Sequence, residues 1–235
     1  MRLAFVSLFP EQVLAALEHG VVARGVRKGL LRHDTANPRD FATDRHRSVD
    51  DPPYGGGPGM VLMAPVVEAA LDSLRLAPGA PVVLADPAAP RFSQADAVRL
   101  AACPEVCFVC GHYEGVDERV AELLCTESRS VGDFVVTGGE LPAALMADAV
   151  ARLVPGVIGD PESHADDSFS DGLLGFPLYT RPEVFRGVRV PDVLLSGDHG
   201  AIARWRRAQS LRRTRERRPD LFATADLRPD DLDLL

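Results

Sequence analysis

The 235-residue sequence predicts an α/β fold: a mainly parallel sheet covered on both faces, followed by a small helical unit. Three observations carry this. Apolar runs of strand length alternate with helical patterns through the first two thirds of the chain. Glycine-rich loops follow those runs, where parallel sheets gather their ligands. After Gly159 the composition changes, and an acidic stretch with few apolar residues leads into arginine-rich sequence.

In chain order, "RLAFVSL" (Arg2 to Leu8) reads as a buried strand, and Pro10 opens a helix carrying Val13, Leu14 and Leu17. "APVVEAALDSL" is a helix with Pro65 at a first helical position, where its missing N–H costs nothing. "PVVLAD" (Pro81 to Asp86) is a strand, and Ser93 caps the helix "QADAVRLAA". "EVCFVCG" is a strand, "VDERVAELLC" a helix, and "ELPAALMADAVARLV" a longer amphipathic helix. The expected boundaries are residues 1–159 for the α/β domain, 160–172 for a flexible linker and 173–235 for a helical carboxyl-terminal domain. The linker, Asp160 to Gly172, is acidic and poor in apolar residues, so it is expected to be mobile until a partner binds. Its successor carries eight arginines and one acid between Arg204 and Arg218, with Trp205 and Leu211 turned to a small core.

Net charge is -8, with 25 arginines and a single lysine, Lys28. An acidic chain is repelled by nucleic acid on average, so an RNA partner requires a local basic face. The arginine helix supplies one, with Arg204 and Arg207 as candidate contacts. No run approaches the ~18 uninterrupted apolar residues of a membrane helix, and Met1 to Pro10 lacks the features of a signal peptide. A soluble cytoplasmic protein is expected. Period two puts Cys107 and Cys110 on opposite faces of one strand, so reduced thiols packed as small core groups are a better reading than zinc ligands.

"DDPPYGGGPGM" (Asp50 to Met60) has the glycines of a phosphate-binding loop but lacks the Lys-Ser/Thr that must follow. It reads instead as a bare-backbone loop that lets a macromolecule approach, with Tyr54 and Gly59 as substrate-side candidates. "CGHYEG" and "VGDFVVTGGE" do not form a G-x-G-x-x-G fingerprint, so a dinucleotide or Rossmann methyltransferase site has no support. A metal hydrolase built on His46, His112, His164 and His199 lacks any ligand spacing of the H-E-x-x-H kind.

Seven ordered blocks, however, carry a resemblance. "SLFP", "DRHRSVDDPPYGGGPGM", "CGHYEGVDERV", "SVGDFVVTGGELPA", "RLVPGVIG", "DDSFSDGLLGFPLYTRPEVFRG" and "VPDVLLSGDH…WRR" are together similar to the bacterial tRNA (guanine-N1)-methyltransferases. The resemblance runs nearly end to end. It implies a SPOUT-type domain ending in a trefoil knot, a rare exception to unknotted chains, and a homodimer with active sites at the subunit interface. It implies S-adenosylmethionine as methyl donor, tRNA as substrate and N1 of guanosine 37, 3′ of the anticodon, as target. Magnesium assistance is also associated with the family, although the sequence shows no diagnostic ligand cluster.

Carried over by motif, the cofactor-contacting residues are Pro87, Gly111, Tyr113, Glu114, Gly115, Val131, Gly132, Asp133, Phe134, Val135, Val136, Gly138, Gly139 and Pro142. The matched catalytic residues are Asp167, as general base for the N1 proton, and Arg152, to stabilise charge on O6. Ser168 joins the substrate-side group. By composition alone Asp167 is equivalent to Asp160, Asp166 and Asp171, so only the motif singles it out. Family members commonly carry a Ser-Pro-Gln-Gly type loop after "VVLAD", whereas this chain has Asp86-Pro87-Ala88-Ala89. A non-catalytic RNA-binding module is the alternative reading, disfavoured by retention of Asp167, Arg152 and the glycines.

Overall fold

The chain enters on β1 (Arg2–Val6), turns through α1 (Pro10–Leu17) and α2 (Gly20–Arg27), and returns as β2 (Arg32–Ala36). The short strands β3 (Asp50–Asp51) and β4 (Val61–Leu62) flank the glycine-rich loop. There follow α3 (Ala64–Ser73), β5 (Val82–Ala85), α4 (Gln94–Ala101), β6 (Glu105–Cys110), α5 (Glu118–Leu123), β7 (Glu127–Arg129) and α6 (Glu140–Ala151). This is a computed structural model, and it describes residues 1–159 and 166–235. The chain divides into two units, residues 1–159 and 160–235. Among the described residues no helix is long and apolar enough to cross a membrane.

Five strands form one parallel sheet in the order β2-β1-β6-β5-β7. The central strands are apolar on both sides because both faces are covered. Leu3, Phe5, Val83, Val106, Phe108 and Cys110 join one core with residues of α1, α4 and α6. Ala4, Val6, Val82, Leu84, Cys107 and Val109 join a second core with residues of α3. The expected two-residue alternation therefore holds, with Cys107 and Cys110 in different cores. Burial pushes the Cys107 thiol up to about 12 and the Cys110 thiol well above its ordinary range, so both pack as neutral groups.

The expected cap of α4 is present as a full capping box: Ser93 Oγ accepts from Asp96 N–H, and the Asp96 carboxylate accepts from Ser93 N–H. Two strands of the five-stranded sheet were not expected from the sequence. Arg32–Ala36 and Glu127–Arg129 form the two edges of the sheet, and neither carries the buried apolar run of a central strand.

In the second unit, β8 (Val184–Phe185) and β9 (Val188–Arg189) form a small hairpin, so this unit is not wholly helical. α7 (His199–Arg217) and α8 (Pro219–Phe222) follow, then a short 3-10 turn at Pro229–Leu234. The Asp198 carboxylate caps α7 by accepting from Ala201 N–H. Leu211 is buried, as expected, and Trp205 lies beside Tyr179 with ring centroids 6.3 Å apart. The first part of the expected linker, including His164, lies outside the described residues. Its remainder is a hydrogen-bonded loop of the second unit: Phe169 N–H donates to Leu173 O at 2.7 Å, and Gly175 N–H to Ser168 Oγ at 2.9 Å.

Candidate active site

Three loops leave the carboxyl ends of β5, β6 and β7 and enclose a cavity of about 310 Å³. The position is the one parallel sheets use for ligands. The first loop follows Ala85 and includes Pro87. There the Asp86 carboxylate accepts from Ala88 N–H at 2.9 Å, and Ala89 N–H reaches Asp86 O at 3.3 Å. A short acid thus shapes this turn through its own side chain.

The second loop, Gly111 to Asp117, is stitched to the β3–β4 hairpin. Glu114 N–H donates to Met60 O, Leu62 N–H to Gly115 O, and Asp117 N–H to Leu62 O, each at 3.0 Å. Tyr113 takes a positive φ of 62° and its hydroxyl accepts from Arg39 Nη2 at 3.1 Å. Gly59, in the hairpin, passes directly beneath Glu114, where a Cβ would lie 2.3 Å from Glu114 Cγ.

The third loop, Ser130 to Gly139, closes the far side. Gly139 N–H donates to Gly111 O at 2.7 Å, and a Cβ on Gly139 would stand 2.7 Å from Gly111 N and 2.8 Å from Cys110 Cα. Only glycine fits where these two backbones meet. Gly138 is equally confined, because its Cβ would fall 2.4 Å from Glu140 Oε2 and 2.7 Å from His112 Nδ1.

The cavity brings together Pro87, Gly111, Tyr113, Glu114, Gly115, Val131, Phe134, Val135, Val136, Gly138, Gly139 and Pro142. Gly132 and Asp133 do not line it. Gly132 has a φ of 157° and turns the chain beneath the Phe134 ring, while Asp133 forms an exposed ion pair with Arg91. Phe134, Val135 and Val136 are exposed and form an apolar rim.

Asp86, Glu114, Asp117 and Glu118 give the lining an acidic character, which favours a cationic ligand. The Arg119 guanidinium beside Asp117 holds that carboxyl down to about 2, so it stays ionised at neutral pH. Arg129, which also lines the cavity, is engaged by Asp96 and Glu127 at 3.1 and 2.7 Å.

A family profile described as tRNA (guanine-1)-methyltransferase TrmD matches residues 1–224. The chain belongs to the tRNA (guanine-N1)-methyltransferase family. It is 48% identical over 235 residues to a tRNA (guanine-N(1)-)-methyltransferase of Staphylococcus carnosus, covering all of this chain and 96% of that one. It is 51% identical over 234 residues to the enzyme of the same name from Synechococcus elongatus, covering 99% of each. Membership in the TrmD family implies an S-adenosylmethionine co-substrate.

Arg152, expected as one of the catalytic residues, is not among the residues that line the cavity. Arg152 caps the carboxyl end of α6, with its N–H on Asp148 O at 3.0 Å. Pro142, which lines the cavity, sits in the first turn of that helix. Ten residues of helix separate them, about 15 Å along the axis. Asp167 lies in the second unit, on the loop closed by the Ser168 hydroxyl.

Of the substrate-side candidates, Tyr54 and Arg204 are exposed. Arg207 differs from the sequence expectation. Its guanidinium grips Asp231 through Nε and Nη2 at 2.8 and 2.6 Å, and Asp171 through Nη1 at 2.5 Å. Those partners lie 24 and 36 residues away, so an arginine run read as solvated cations conceals them.

Sequence reasoning also missed Glu140 and weighed His112 only as a metal ligand. Glu140 is 2% exposed and accepts from Ser7 Oγ at 2.8 Å. His112 Nδ1 is buried 3.8 Å from the other carboxylate oxygen, with no hydrogen-bond partner among the described residues. The one available signal was an acid immediately after a Gly-Gly pair, where a helix N-terminus welcomes negative charge. Among the described residues, no group of three or more His, Cys, Asp or Glu side chains is arranged to hold a metal ion.

Proposed function

We propose that this tRNA methyltransferase transfers a methyl group from S-adenosylmethionine to N1 of guanosine 37 in tRNA, as a cytoplasmic homodimer. The observation carrying the reading is the acidic cavity at the sheet's carboxyl edge, lined by bare glycine backbone and by residues that match the family's cofactor motifs. S-adenosylmethionine brings a methyl group already activated on a cationic sulfur. The unsubstituted backbone of Gly111, Gly115, Gly138 and Gly139 leaves room for an adenine and ribose to lie against amides and carbonyls. Asp86 and Glu114 offer acceptors for hydroxyl and ammonium groups. The expected knot belongs to the same reading, supported by the contact of Gly139 with the backbone of Gly111 and Cys110.

The chain's own chemistry is proton management. N1 of guanine carries a proton and is a poor nucleophile until it leaves. The Asp167 carboxylate accepts that proton as the methyl transfers. As N1 loses its proton, negative charge develops on O6, where the Arg152 guanidinium stabilises it until N1 takes the methyl group from the sulfonium.

Two observations support the homodimer. Leu141 and Leu145, one turn apart on α6, are 52% and 57% exposed, and Phe134 to Val136 are exposed as well, more apolar surface than a lone chain ordinarily leaves to water. Arg152 is also remote from the cavity of its own chain, so it serves the cavity of a second copy.

Labelled cofactor with tRNA transcripts bearing or lacking guanosine 37 tests the reading. Label is expected only in the transcript with that guanosine. Equal labelling of both overturns the target, and no heat on titration with S-adenosylmethionine overturns the donor.

A further inference from the structure

We propose that Asp171 and Arg207 form a positioning tie that fixes the loop carrying Asp167, so that one side of the arginine helix serves the chemical step and not RNA contact. The inference rests on the proposed role of Asp167 as the base. Residues 166–175 fold back on themselves: Ser170 N–H donates to Asp167 O at 3.3 Å, and Phe169, at a φ of 76°, turns the chain so that its N–H meets Leu173 O. Phe169 is a bulky residue in the left-handed region, a conformation that persists only where surrounding contacts hold it.

Two sets of contacts do so. On the trailing side the loop is fixed to α7 through its backbone. Leu174 N–H donates to the buried Thr214 hydroxyl at 2.8 Å, and Gly175 O accepts from Arg213 Nη1 at 3.1 Å. Within the loop that carries Asp167, a charged tie adds to these: Asp171 Oδ2 accepts from Arg207 Nη1.

Arg207 is fixed in turn from behind. Asp231 is 1% exposed, receives both remaining nitrogens of the guanidinium, and also accepts Arg228 N–H at 2.8 Å. All three guanidinium nitrogens of Arg207 are therefore committed within the second unit, and the fork that would grip a phosphate is occupied. Arg204, Arg212, Arg215 and Arg217 remain exposed on the same helix and suit phosphate contact. The helix thus divides its cations between holding a loop and meeting RNA.

The test separates the two roles. Asp171→Asn is the informative variant, because it leaves the Arg207–Asp231 pair intact and still offers Oδ1 to Leu173 N–H. Arg207→Ala strands Asp231 and risks unfolding the unit, so Arg207→Lys replaces it. At saturating cofactor and tRNA, both Asp171→Asn and Arg207→Lys are expected to lower the single-turnover methylation rate by about tenfold or more. The tRNA affinity and the slope of log K against log salt are expected to stay as in the wild type, and Asp171→Glu to restore part of the rate. Arg204→Ala is expected to do the reverse, weakening tRNA binding and reducing the salt slope by about one. A drop in tRNA affinity and salt slope for Arg207→Lys with an unchanged rate overturns the tie. So does a rate loss in Asp171→Asn that merely tracks its unfolded fraction. Asp167→Asn in parallel distinguishes the levels: a wild-type rate there removes the assigned base, whatever Asp171 does.

Discussion

The cavity loops of the first unit and the Asp167 loop of the second both hold irregular backbone in place, by different means. Around the cavity, fixation is backbone to backbone. Gly139 on Gly111, Glu114 on Met60, and Leu62 and Asp117 on each other's loops leave little to side-chain choice. In the second unit, side chains do the fixing: Ser168, Thr214, Arg213 and the Asp171–Arg207 pair. A pocket for one invariant small molecule, as proposed for the cavity, suits the stiff arrangement. A base that must meet a large nucleic acid, the role proposed for Asp167, suits side-chain ties that re-form after displacement.

The comparison breaks most readily at Gly139. An added methyl there meets backbone atoms at 2.7 and 2.8 Å, which cannot step aside as a side-chain end can. Gly139→Ala is expected to cost about 3 kcal/mol, which for binding is roughly a 100-fold weaker cofactor complex. Calorimetry showing affinity within threefold of wild type would end the idea that backbone contact sets the pocket.

Gly59 gives a smaller, more selective effect. Its neighbour is the Glu114 side chain, which can move, so Gly59→Ala is expected to weaken cofactor binding by about tenfold. Gly56 has nearly the same φ, 81° against 82°, with nothing near its missing Cβ. Gly56→Ala therefore matches the backbone strain without touching Glu114 and is expected to have the weaker effect. Equal losses in the two variants would show that strain alone matters.

The smallest expected effect lies in the network below β7. Burial pushes the Asp96 carboxyl up, but Ser93, Arg99 and Arg129 together hold it down to about 2. A carboxyl lowered from 3.8 adds stability that is full above that value and is lost as pH falls through 2. After discounting for solvent screening, Asp96→Asn is expected to cost about 1 kcal/mol at neutral pH. Melting curves should show the wild-type advantage shrinking from pH 6 towards pH 2, and an advantage that grows on acidification contradicts the assignment.

The central strands and the glycine loops were legible in the sequence, because strands buried on both faces read as unbroken apolar runs. The edge strands were not. "RHDTA" and "ESR" are partly exposed, and their pairing is dictated by neighbours rather than by their own composition. Within the site, the glycines announced close backbone approach. The side-chain partnerships did not: the turn at Asp86 replaces an expected motif, Glu140 meets Ser7 across 133 residues, and Arg207 turns inward. Long-range pairing leaves no periodic trace, so a charged residue reads as solvated until its partner is seen.

α6 begins against the cavity and ends at Arg152, so in the proposed dimer each copy of this rod belongs to two reaction centres. Two defective chains then need not make a defective enzyme. A copy disabled at Gly139 still lends its Arg152, and a copy disabled at Arg152 still offers an intact pocket. Paired in one mixed dimer, they contain between them one whole centre and one doubly damaged one. Inactive parents can thus give an active hybrid, and a single faulty gene copy need not silence the product of its neighbour.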